Sequence, residues 1–418
     1  MSRIFPPAAY GQFAVFNTLV SNLSMLTTLT YQGAFLLPKS KRAFFSLVQL
    51  TVLLTVSCSA LLFGAMLLGG RYLIKLLNLE GMGNLFYTIP VLLLFFNLRS
   101  ILLSWYTREK QFLKRSSVEV TTSFLGRGGS IAYGWMVGGS VEGLLIGEFL
   151  NRVTTTVALA AGSVRNSYGI LWRTFSWQRV RAVATEYSDF PLYQLPASFI
   201  STLSAQLPIY ALSASFGTTA VGLYSFSVNL LEIPINLIGN ALQPVFWQKA
   251  VETYNTEPER LPGITLALFY KLLYLGLLPF GIITIYGDIL FKIIFGARWE
   301  MAGVYTAYLG YYYIFKLLSI ATSPIYVVLG KQRYILWSNI ALLAVRGLGL
   351  GIGLWFKDLT LALLLYGLGS LLTTLAIDLQ IMALLRLPVF RIALRIFGVV
   401  GATLILLKLI RMGFELVL

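Results

Sequence analysis

The chain has 418 residues, of which 57% are hydrophobic and only 11% are charged, whereas about 25% of the residues in a soluble globular domain are charged. So few charges cannot cover the surface of a soluble protein of this size, which excludes the soluble classes and predicts an integral membrane protein. The formal net charge is +16, histidine is absent and Cys58 is the only cysteine, which excludes histidine-based triads, histidine zinc sites and intramolecular disulfides.

Apolar windows of about 20 residues mark the helices that can cross a bilayer. They predict twelve spans, so we expect an all-α polytopic membrane protein. The predicted spans are 10–36, 43–69, 84–106, 115–138, 140–162, 190–214, 218–242, 263–287, 302–329, 334–356, 359–385 and 391–413. Three of them, 10–36, 115–138 and 190–214, are rich in serine, threonine, asparagine and glutamine, which indicates helices that face a cavity or other helices instead of lipid.

Lysine and arginine are distributed unevenly over the loops between these spans. Eighteen of them lie in one set of alternate loops, which includes 39–42 and 108–115, and six lie in the other set. The richer set is predicted to be cytoplasmic. The longest connection, 163–189, belongs to this set and carries Trp172, Phe175 and Trp177 among four arginines. This pattern predicts an amphipathic linker at the cytoplasmic membrane surface.

The two halves of the chain share a pattern at a constant offset of 211 residues. The matched positions are Ala9, Gly11, Phe13 and Gln32 in the first half and Ala220, Gly222, Tyr224 and Gln243 in the second. Both copies run in the same direction, so we predict a parallel repeat about an axis along the membrane normal. The predicted parts are an N-terminal lobe, 1–162, the linker, 163–189, a C-terminal lobe, 190–385, and an additional helix, 386–418.

Span 190–214 precedes the second copy of the pattern, and its counterpart in the first half would lie before Met1. We therefore expect that the first lobe lacks its first helix. The N-terminus also lacks a basic region followed by a short apolar core, so no cleavable signal peptide is expected.

Three segments of the chain resemble one protein family. The first runs from Tyr10-Gly11-Gln12-Phe13 to Leu37-Pro38-Lys39-Ser40. The second is Tyr-Ser-Asp-Phe-Pro-Leu-Tyr at 187–193, followed by Pro196. The third is Phe216-Gly217, followed by Ala-Val-Gly-Leu-Tyr-Ser at 220–225, Pro234 and Ile238-Gly239. Over nearly the whole chain, the sequence is similar to bacterial lipid-linked oligosaccharide flippases. These are the O-antigen and polysaccharide-export members of the MOP superfamily, which also contains the MATE drug exporters. The resemblance implies two six-helix lobes, of which this chain supplies five, six and one additional helix.

The resemblance also implies a function, which is the movement of undecaprenyl-diphosphate-linked oligosaccharide from the cytoplasmic to the outer leaflet of the bacterial inner membrane by alternating access. The implied partners are the anionic lipid-linked glycan, membrane lipids and the polysaccharide polymerase or export machinery. No cofactor, metal, nucleic acid or enzymatic activity is expected. Two alternatives stay open. One is a MATE-like ion-coupled exporter of small molecules, and the other is a membrane glycosyltransferase or O-antigen polymerase.

Eight cations fall inside the predicted spans, where a charge that faces lipid is costly. Lys408 and Arg411 lie near a span end and are expected to extend to the interface, as Arg99 also can. The residues predicted to line a cationic lumen for a diphosphate or an acidic sugar are Arg127, Arg346, Arg152, Lys316, Lys271 and Arg99. The alternative is internal ion pairing, because Glu148 lies four residues before Arg152 and Glu119 lies eight residues before Arg127.

Acids and prolines inside the spans complete the candidate residues. The ion-coupling candidates are Glu232, Asp378, Glu119 and Glu148, whose alternative role is to neutralise the cations. The hinge candidates for a rocking motion are Pro191, Pro196, Pro208 and Pro234, whose alternative role is to form static kinks.

Overall fold

The computed structural model describes residues 1–76, 86–162, 169–171 and 173–417. Twelve α-helices of ten or more residues make up most of this part of the chain, which contains no β-strand. They are α1 (Pro7–Thr28), α2 (Lys41–Leu76), α3 (Ile89–Arg108), α4 (Phe112–Met136), α5 (Val141–Ala160), α6 (Trp177–Glu186), α7 (Leu195–Thr256), α8 (Leu261–Phe295), α9 (Glu300–Val328), α10 (Gln332–Trp355), α11 (Leu359–Leu384) and α12 (Val389–Val417). The prediction of an all-helical fold is confirmed.

Each of the twelve predicted spans contains a helix. The start of the third span at 84 and the linker residues 163–168 and Trp172 lie outside the described residues. The spans 190–214 and 218–242 are joined in α7, whose helical geometry is broken at Gly217 with φ 79° and ψ 175°. This conformation is accessible to glycine because it has no Cβ, so the backbone changes direction there without a loop.

Seven helical segments of the described chain are long and apolar enough to cross a membrane by length and composition, and one of them contains all of α7. Helices α1, α4, α5, α6 and α9 are outside this set. Helix α4 carries Lys114, Arg115, Glu119 and Arg127, and α9 carries a run of tyrosines. These polar side chains lower the mean hydropathy of the two helices.

The described chain divides into two compact units, Met1–Val221 and Gly222–Leu418. In the first unit, Phe35, Phe44, Trp105, Tyr106 and Leu159 form a buried core between α2, α3 and α5. Helix α6 lies within the predicted linker, and it buries Val180 and Val183 and exposes 67% of Trp177. The location of the linker at the cytoplasmic membrane surface stays a prediction. The predicted lobe boundary at 190 stays a prediction, since the division between the compact units falls at 221, inside α7.

In the second unit, α8 and α9 pack backbone to backbone. A Cβ atom on Gly303 would collide with the backbone of Gly287, so the two glycines let the helices approach closely. A second apolar core joins α7, α8, α9 and α11 through Phe246, Leu261, Ile325, Tyr326 and Ile381. These contacts hold α9 and α11 in a fixed register, which positions the polar groups described below.

Candidate functional site

Arg152 on α5 is the most deeply buried cation of the first unit. Its side chain is 6% exposed, and its Nε lies 2.6 Å from Oε1 of Glu148. The guanidinium also donates to Oδ1 of Asn17 at 3.1 Å and lies 4.6 Å from the ring centroid of Phe96. The pair expected from the four-residue spacing is therefore formed, and Asn17 on α1 and Phe96 on α3 fix the guanidinium from two other helices.

Arg127 lies on α4, and its side chain is exposed. Its Nη1 contacts Sδ of Met1 at 3.8 Å, and it makes no ion pair with any residue of the described chain. The pairing of Arg127 with Glu119, considered from their eight-residue spacing, is wrong. Glu119 turns to Arg99 at 3.4 Å and to Arg115 at 3.2 Å instead.

Two cavities adjoin Arg127. One, of about 70 Å³, is lined by Met1, Tyr10, Phe13, Ser123, Gly126, Arg127, Ser130, Leu144, Gly147, Glu148 and Asn151. The other, of about 660 Å³, is lined by Glu119, Val120, Ser123, Phe124, Arg127, Gly128 and Ile131. Arg127 therefore lies between a small polar cavity inside the first unit and a larger, more apolar one on the surface of α4.

Arg99 on α3 was expected either to line the lumen or to extend to the interface. It binds Glu119 across the contact between α3 and α4, with side-chain exposures of 24% and 28%. Arg115 completes this cluster through Glu119 and donates to Oγ1 of Thr107 at 2.7 Å. Two arginines therefore share one carboxylate, which leaves a net positive charge at this contact.

Arg346 on α10 lies at the centre of the second unit with 4% of its surface exposed. Its Nε donates to Oγ of Ser370 at 2.9 Å and its Nη2 donates to the hydroxyl of Tyr312 at 2.5 Å. The guanidinium lies 5.3 Å from the ring centroids of both Tyr312 and Tyr366. The tyrosine run at 311–313 thus contributes Tyr312 to an aromatic site for a cation, which the sequence did not reveal.

Lys316 on α9 and Glu232 on α7 form an ion pair, with side-chain exposures of 37% and 24%. The Nζ atom of Lys316 also lies 5.4 Å from the ring centroid of Tyr313. Lys271 on α8 is exposed. The structure therefore pairs Lys316 with Glu232, and Lys271 makes no ion pair in the described chain.

Arg411 binds an acid of a neighbouring helix, and the expectation that it extends to the membrane interface stays a prediction. Its guanidinium makes two hydrogen bonds to the carboxylate of Asp288, at 3.0 and 2.7 Å. The hydroxyl of Tyr286 donates to the carbonyl of Leu407 at 3.1 Å. An acid on α8 therefore compensates the charge of Arg411 and holds α12 against that helix.

Asp378 on α11 is fully buried, with 0% exposure. Its Oδ1 accepts hydrogen bonds from Oγ1 of Thr322 at 2.6 Å and from Oγ of Ser319 at 3.2 Å. Of the four ion-coupling candidates, Glu119, Glu148 and Glu232 each bind an arginine or a lysine. Asp378 alone among these four is bound by hydroxyl groups in the described chain.

The hinge candidates occupy different backbone contexts. Pro191 lies in a short π-helical turn, Phe190–Gln194, and Pro196 lies in the first turn of α7. Pro208 and Pro234 lie inside α7, where helical geometry is interrupted at Gly217. Gly217 was not among the predicted hinges, although its position between two predicted spans was a usable signal.

Comparisons with known proteins agree with this architecture. The sequence matches the model of the polysaccharide biosynthesis protein family over residues 1–303, so the chain belongs to that family. No curated protein is detectably similar to the sequence. The resemblance identified in the three sequence segments is confirmed.

Two solved transporter structures share the fold. One is an inward-facing multidrug resistance MATE family transporter of the MOP superfamily, with a TM-score of 0.72 and 15% identity over 91% of this chain and 92% of that chain. The other is a mutant of the Vibrio cholerae MATE transporter VcmN, with a TM-score of 0.55 and 14% identity over 91% of this chain and 95% of that one. The chain is therefore a multi-pass membrane protein with the fold of MOP-superfamily transporters.

Proposed function

We propose that this protein is a flippase that moves undecaprenyl-diphosphate-linked oligosaccharide from the cytoplasmic to the outer leaflet of the bacterial inner membrane, for polysaccharide or O-antigen export. Membership of the polysaccharide biosynthesis family supports a glycan as cargo, and the MATE-like fold supports transport. In this proposal the glycan passes through a polar cavity by alternating access while the lipid tail remains in the bilayer.

Arg127 is the observation that carries the proposal. It is an exposed cation on α4, inside the predicted span 115–138, and it makes no ion pair with an acid of the described chain. Because a guanidinium binds phosphate with two parallel hydrogen bonds, Arg127 is suited to the diphosphate of the cargo. Arg346 lies twelve residues after the start of the predicted span 334–356, as Arg127 does in the predicted span 115–138. We therefore include Arg346 as a second contact that becomes accessible during the transport cycle.

Export of surface glycan in cells tests the role of Arg127. The loss of a charge-assisted hydrogen bond weakens binding by about 1.5–3 kcal/mol, or roughly ten- to a hundredfold, so Arg127→Ala is expected to reduce export by at least about tenfold. Arg127→Glu is expected to reduce it further, since a carboxylate repels the diphosphate. Arg260→Ala serves as the control, because Arg260 is an exposed arginine paired with Glu257.

Protein levels in the membrane are measured in parallel by immunoblot. Wild-type export by Arg127→Ala, at an unchanged protein level, would reject the role of Arg127. Export that is lost equally in Arg127→Ala and Arg260→Ala would also reject it, because the defect would then not depend on the diphosphate contact.

Export of small molecules is the second candidate function, and the similarity to multidrug MATE transporters favours it. Proteoliposomes that contain the purified protein separate the two functions. The flippase proposal expects movement of a fluorescent undecaprenyl-diphosphate oligosaccharide between leaflets and no uptake of a cationic dye. Dye uptake without movement of the lipid-linked glycan would establish the exporter and overturn the flippase.

A further inference from the structure

A basic cavity of about 590 Å³ lies where α2 begins and α3 ends. Lys39, Lys41, Arg108 and Lys110 line it, and Glu109 is the acid among its lining residues. We propose that this cavity binds the phosphate headgroup of an anionic glycerophospholipid of the surrounding bilayer. The binding of this lipid does not depend on the cargo proposed above.

Arg108 gives the cavity a cation of fixed position. Its Nη1 donates to the carbonyl oxygen of Phe35 at 2.7 Å, and its Nη2 donates to that of Pro38 at 2.5 Å. The guanidinium also lies 4.6 Å from the ring centroid of Phe44. These contacts join the end of α3 to the turn before α2 and use two of the five N–H donors of the guanidinium. The donors that remain can bind a phosphate oxygen.

Three lysines bring further positive charge to the same cavity. Lys39, Lys41 and Lys110 are exposed, and none of them forms an ion pair in the described chain. Four cations and one carboxylate therefore leave three positive charges uncompensated among the lining residues. A bound anion relieves the repulsion among these cations, since opposite charges attract strongly where the protein wall excludes part of the water.

Charge complementarity favours an anionic headgroup over a zwitterionic one. Every glycerophospholipid offers a phosphate that accepts hydrogen bonds from lysine and arginine. In phosphatidylethanolamine, however, an ammonium group lies close to the phosphate and would be repelled by the lining lysines. Phosphatidylglycerol carries an uncharged glycerol at the same place, so we expect the cavity to select it.

Apolar side chains beside the cations indicate a lipid instead of a soluble phosphate. Leu36 and Phe112 line the cavity with 59% and 55% of their surfaces exposed, and their chain neighbours Leu37 and Leu113 are 58% and 86% exposed. The predicted spans begin at 43 and end at 106, within two residues of two of the lining cations. The cavity therefore lies at the predicted depth of the headgroups, where basic pockets between helices bind anionic lipids and exposed leucines can contact acyl chains.

The second unit has a cavity of similar volume and different charge. It measures about 570 Å³, and its charged lining residues are Lys249, Arg260, Glu257 and Glu259. Arg260 pairs with Glu257, and the two cations and two acids balance. We expect no preference for anionic lipids there, which makes Lys249 a suitable control position.

Native mass spectrometry of the purified full-length protein in detergent tests the site. The probes are phosphatidylglycerol, phosphatidylethanolamine, inorganic phosphate and undecaprenyl diphosphate, each titrated separately. The test variant replaces the lining lysines by Lys39→Gln, Lys41→Gln and Lys110→Gln. The control variant removes the same charge at exposed positions elsewhere by Lys249→Gln, Lys331→Gln and Arg386→Gln.

Wild type and the control variant are expected to bind phosphatidylglycerol more tightly than phosphatidylethanolamine. Each lysine near anionic lipid strengthens binding roughly fivefold, so the test variant is expected to bind phosphatidylglycerol about a hundredfold more weakly. Lys41→Gln alone is expected to weaken it about fivefold. Equal affinity of wild type and the test variant would overturn the site, as would an equal loss in the control variant.

The other probes separate the lipid from other phosphates. Inorganic phosphate that binds wild type as tightly as phosphatidylglycerol would identify a site for a soluble anion and overturn the lipid proposal. Tighter binding of undecaprenyl diphosphate, lost in the test variant, would give the cavity to the cargo and also overturn it. Equal binding of phosphatidylethanolamine and phosphatidylglycerol by wild type would contradict the selection by charge.

Thermal unfolding gives a second measurement on the same samples. Without anionic lipid, the test variant is expected to have the Tm of wild type or a higher one, because repulsion among the lysines is removed. Phosphatidylglycerol is expected to raise the Tm of wild type and of the control variant more than that of the test variant, and equal rises would contradict the site. If the lipid binds as expected but proteoliposomes do not move the lipid-linked glycan, the flippase proposal fails and the lipid site stands.

Discussion

Several charged side chains inside the predicted spans form ion pairs with particular acids. Arg152 binds Glu148 on its own helix, and Arg411 binds Asp288 on α8. Each pair lowers the cost of placing an arginine away from water, because the opposite charge and the hydrogen bonds replace part of the lost hydration. Arg127 differs from both, since it is exposed and its described contact is the sulfur of Met1.

Glu148→Gln tests how much the Arg152 pair stabilises the first unit. Removal of one partner from a buried ion pair costs about 3–5 kcal/mol. Glu148 keeps 24% of its side chain exposed, so solvent screening reduces the expected loss in the free energy of unfolding to about 1–3 kcal/mol. Thermal unfolding of the purified protein in detergent measures this loss as a lower Tm.

Glu257→Gln is the matched control for this prediction. Glu257 pairs with Arg260, and their side chains are 55% and 75% exposed, so its substitution is expected to cost no more than about 1 kcal/mol. Equal Tm values for the two variants would show that burial does not strengthen the Arg152 pair.

At the scale of elements, a close helix contact positions Arg127. A Cβ atom on Gly126 would lie 2.6 Å from the carbonyl oxygen of Gly147 and 2.6 Å from Cβ of Asn151, so α4 and α5 approach through these glycines. Gly128, two residues further along α4, has open space around it. Arg127 follows a glycine that packs closely against α5 and precedes a glycine with no neighbour within 4 Å. The contact at Gly126 holds Arg127 at the rim of the small cavity.

Gly126→Ala and Gly128→Ala form a matched pair on the same helix. The added methyl group at position 126 must push α5 away, and overpacking of this kind costs about 1–3 kcal/mol. The same change at position 128 meets no neighbour and is expected to be neutral or slightly stabilising, since alanine favours a helix over glycine by about 1 kcal/mol. Thermal unfolding compares the two, and equal destabilisation would contradict the close contact.

At the scale of the whole molecule, the lysines and arginines that give the net charge of +16 lie either in the loops or inside the predicted spans. Loop lysines and arginines are concentrated on one set of alternate loops, which predicts the topology. The remaining cations lie inside the spans, where acids such as Glu119, Glu148 and Glu232 bind several of them. The excess that remains inside the spans favours an anionic cargo over a cationic one.

Cysteine labelling from one side of the membrane tests the predicted topology. Cys58 is replaced by serine, and single cysteines are placed at exposed positions by Lys39→Cys, Lys331→Cys and Arg298→Cys. A membrane-impermeant thiol reagent added outside intact cells is expected to label only Arg298→Cys, and disrupted cells are expected to label all three. Labelling of Lys39→Cys or Lys331→Cys in intact cells would reverse the predicted orientation.

The amino-acid sequence by itself determined the class of protein, the all-helical fold and the family. Hydrophobic windows predicted twelve spans, each of which contains a helix, because a bilayer imposes a minimum apolar length on each helix. The Glu148–Arg152 pair was also accessible, since residues four apart on a helix are neighbours whatever surrounds them. These features depend on composition or on local spacing, and neither requires knowledge of which helices meet.

Only the tertiary structure decided which distant side chains meet. Glu232 lies 84 residues from Lys316, Asp378 lies 56 residues from Thr322, and no local pattern joins these partners. Glu119 binds Arg99 of another helix instead of Arg127 of its own. The choice depends on the register in which the helices pack, and that register is set by many weak contacts, such as those between glycines, that sequence spacing does not encode.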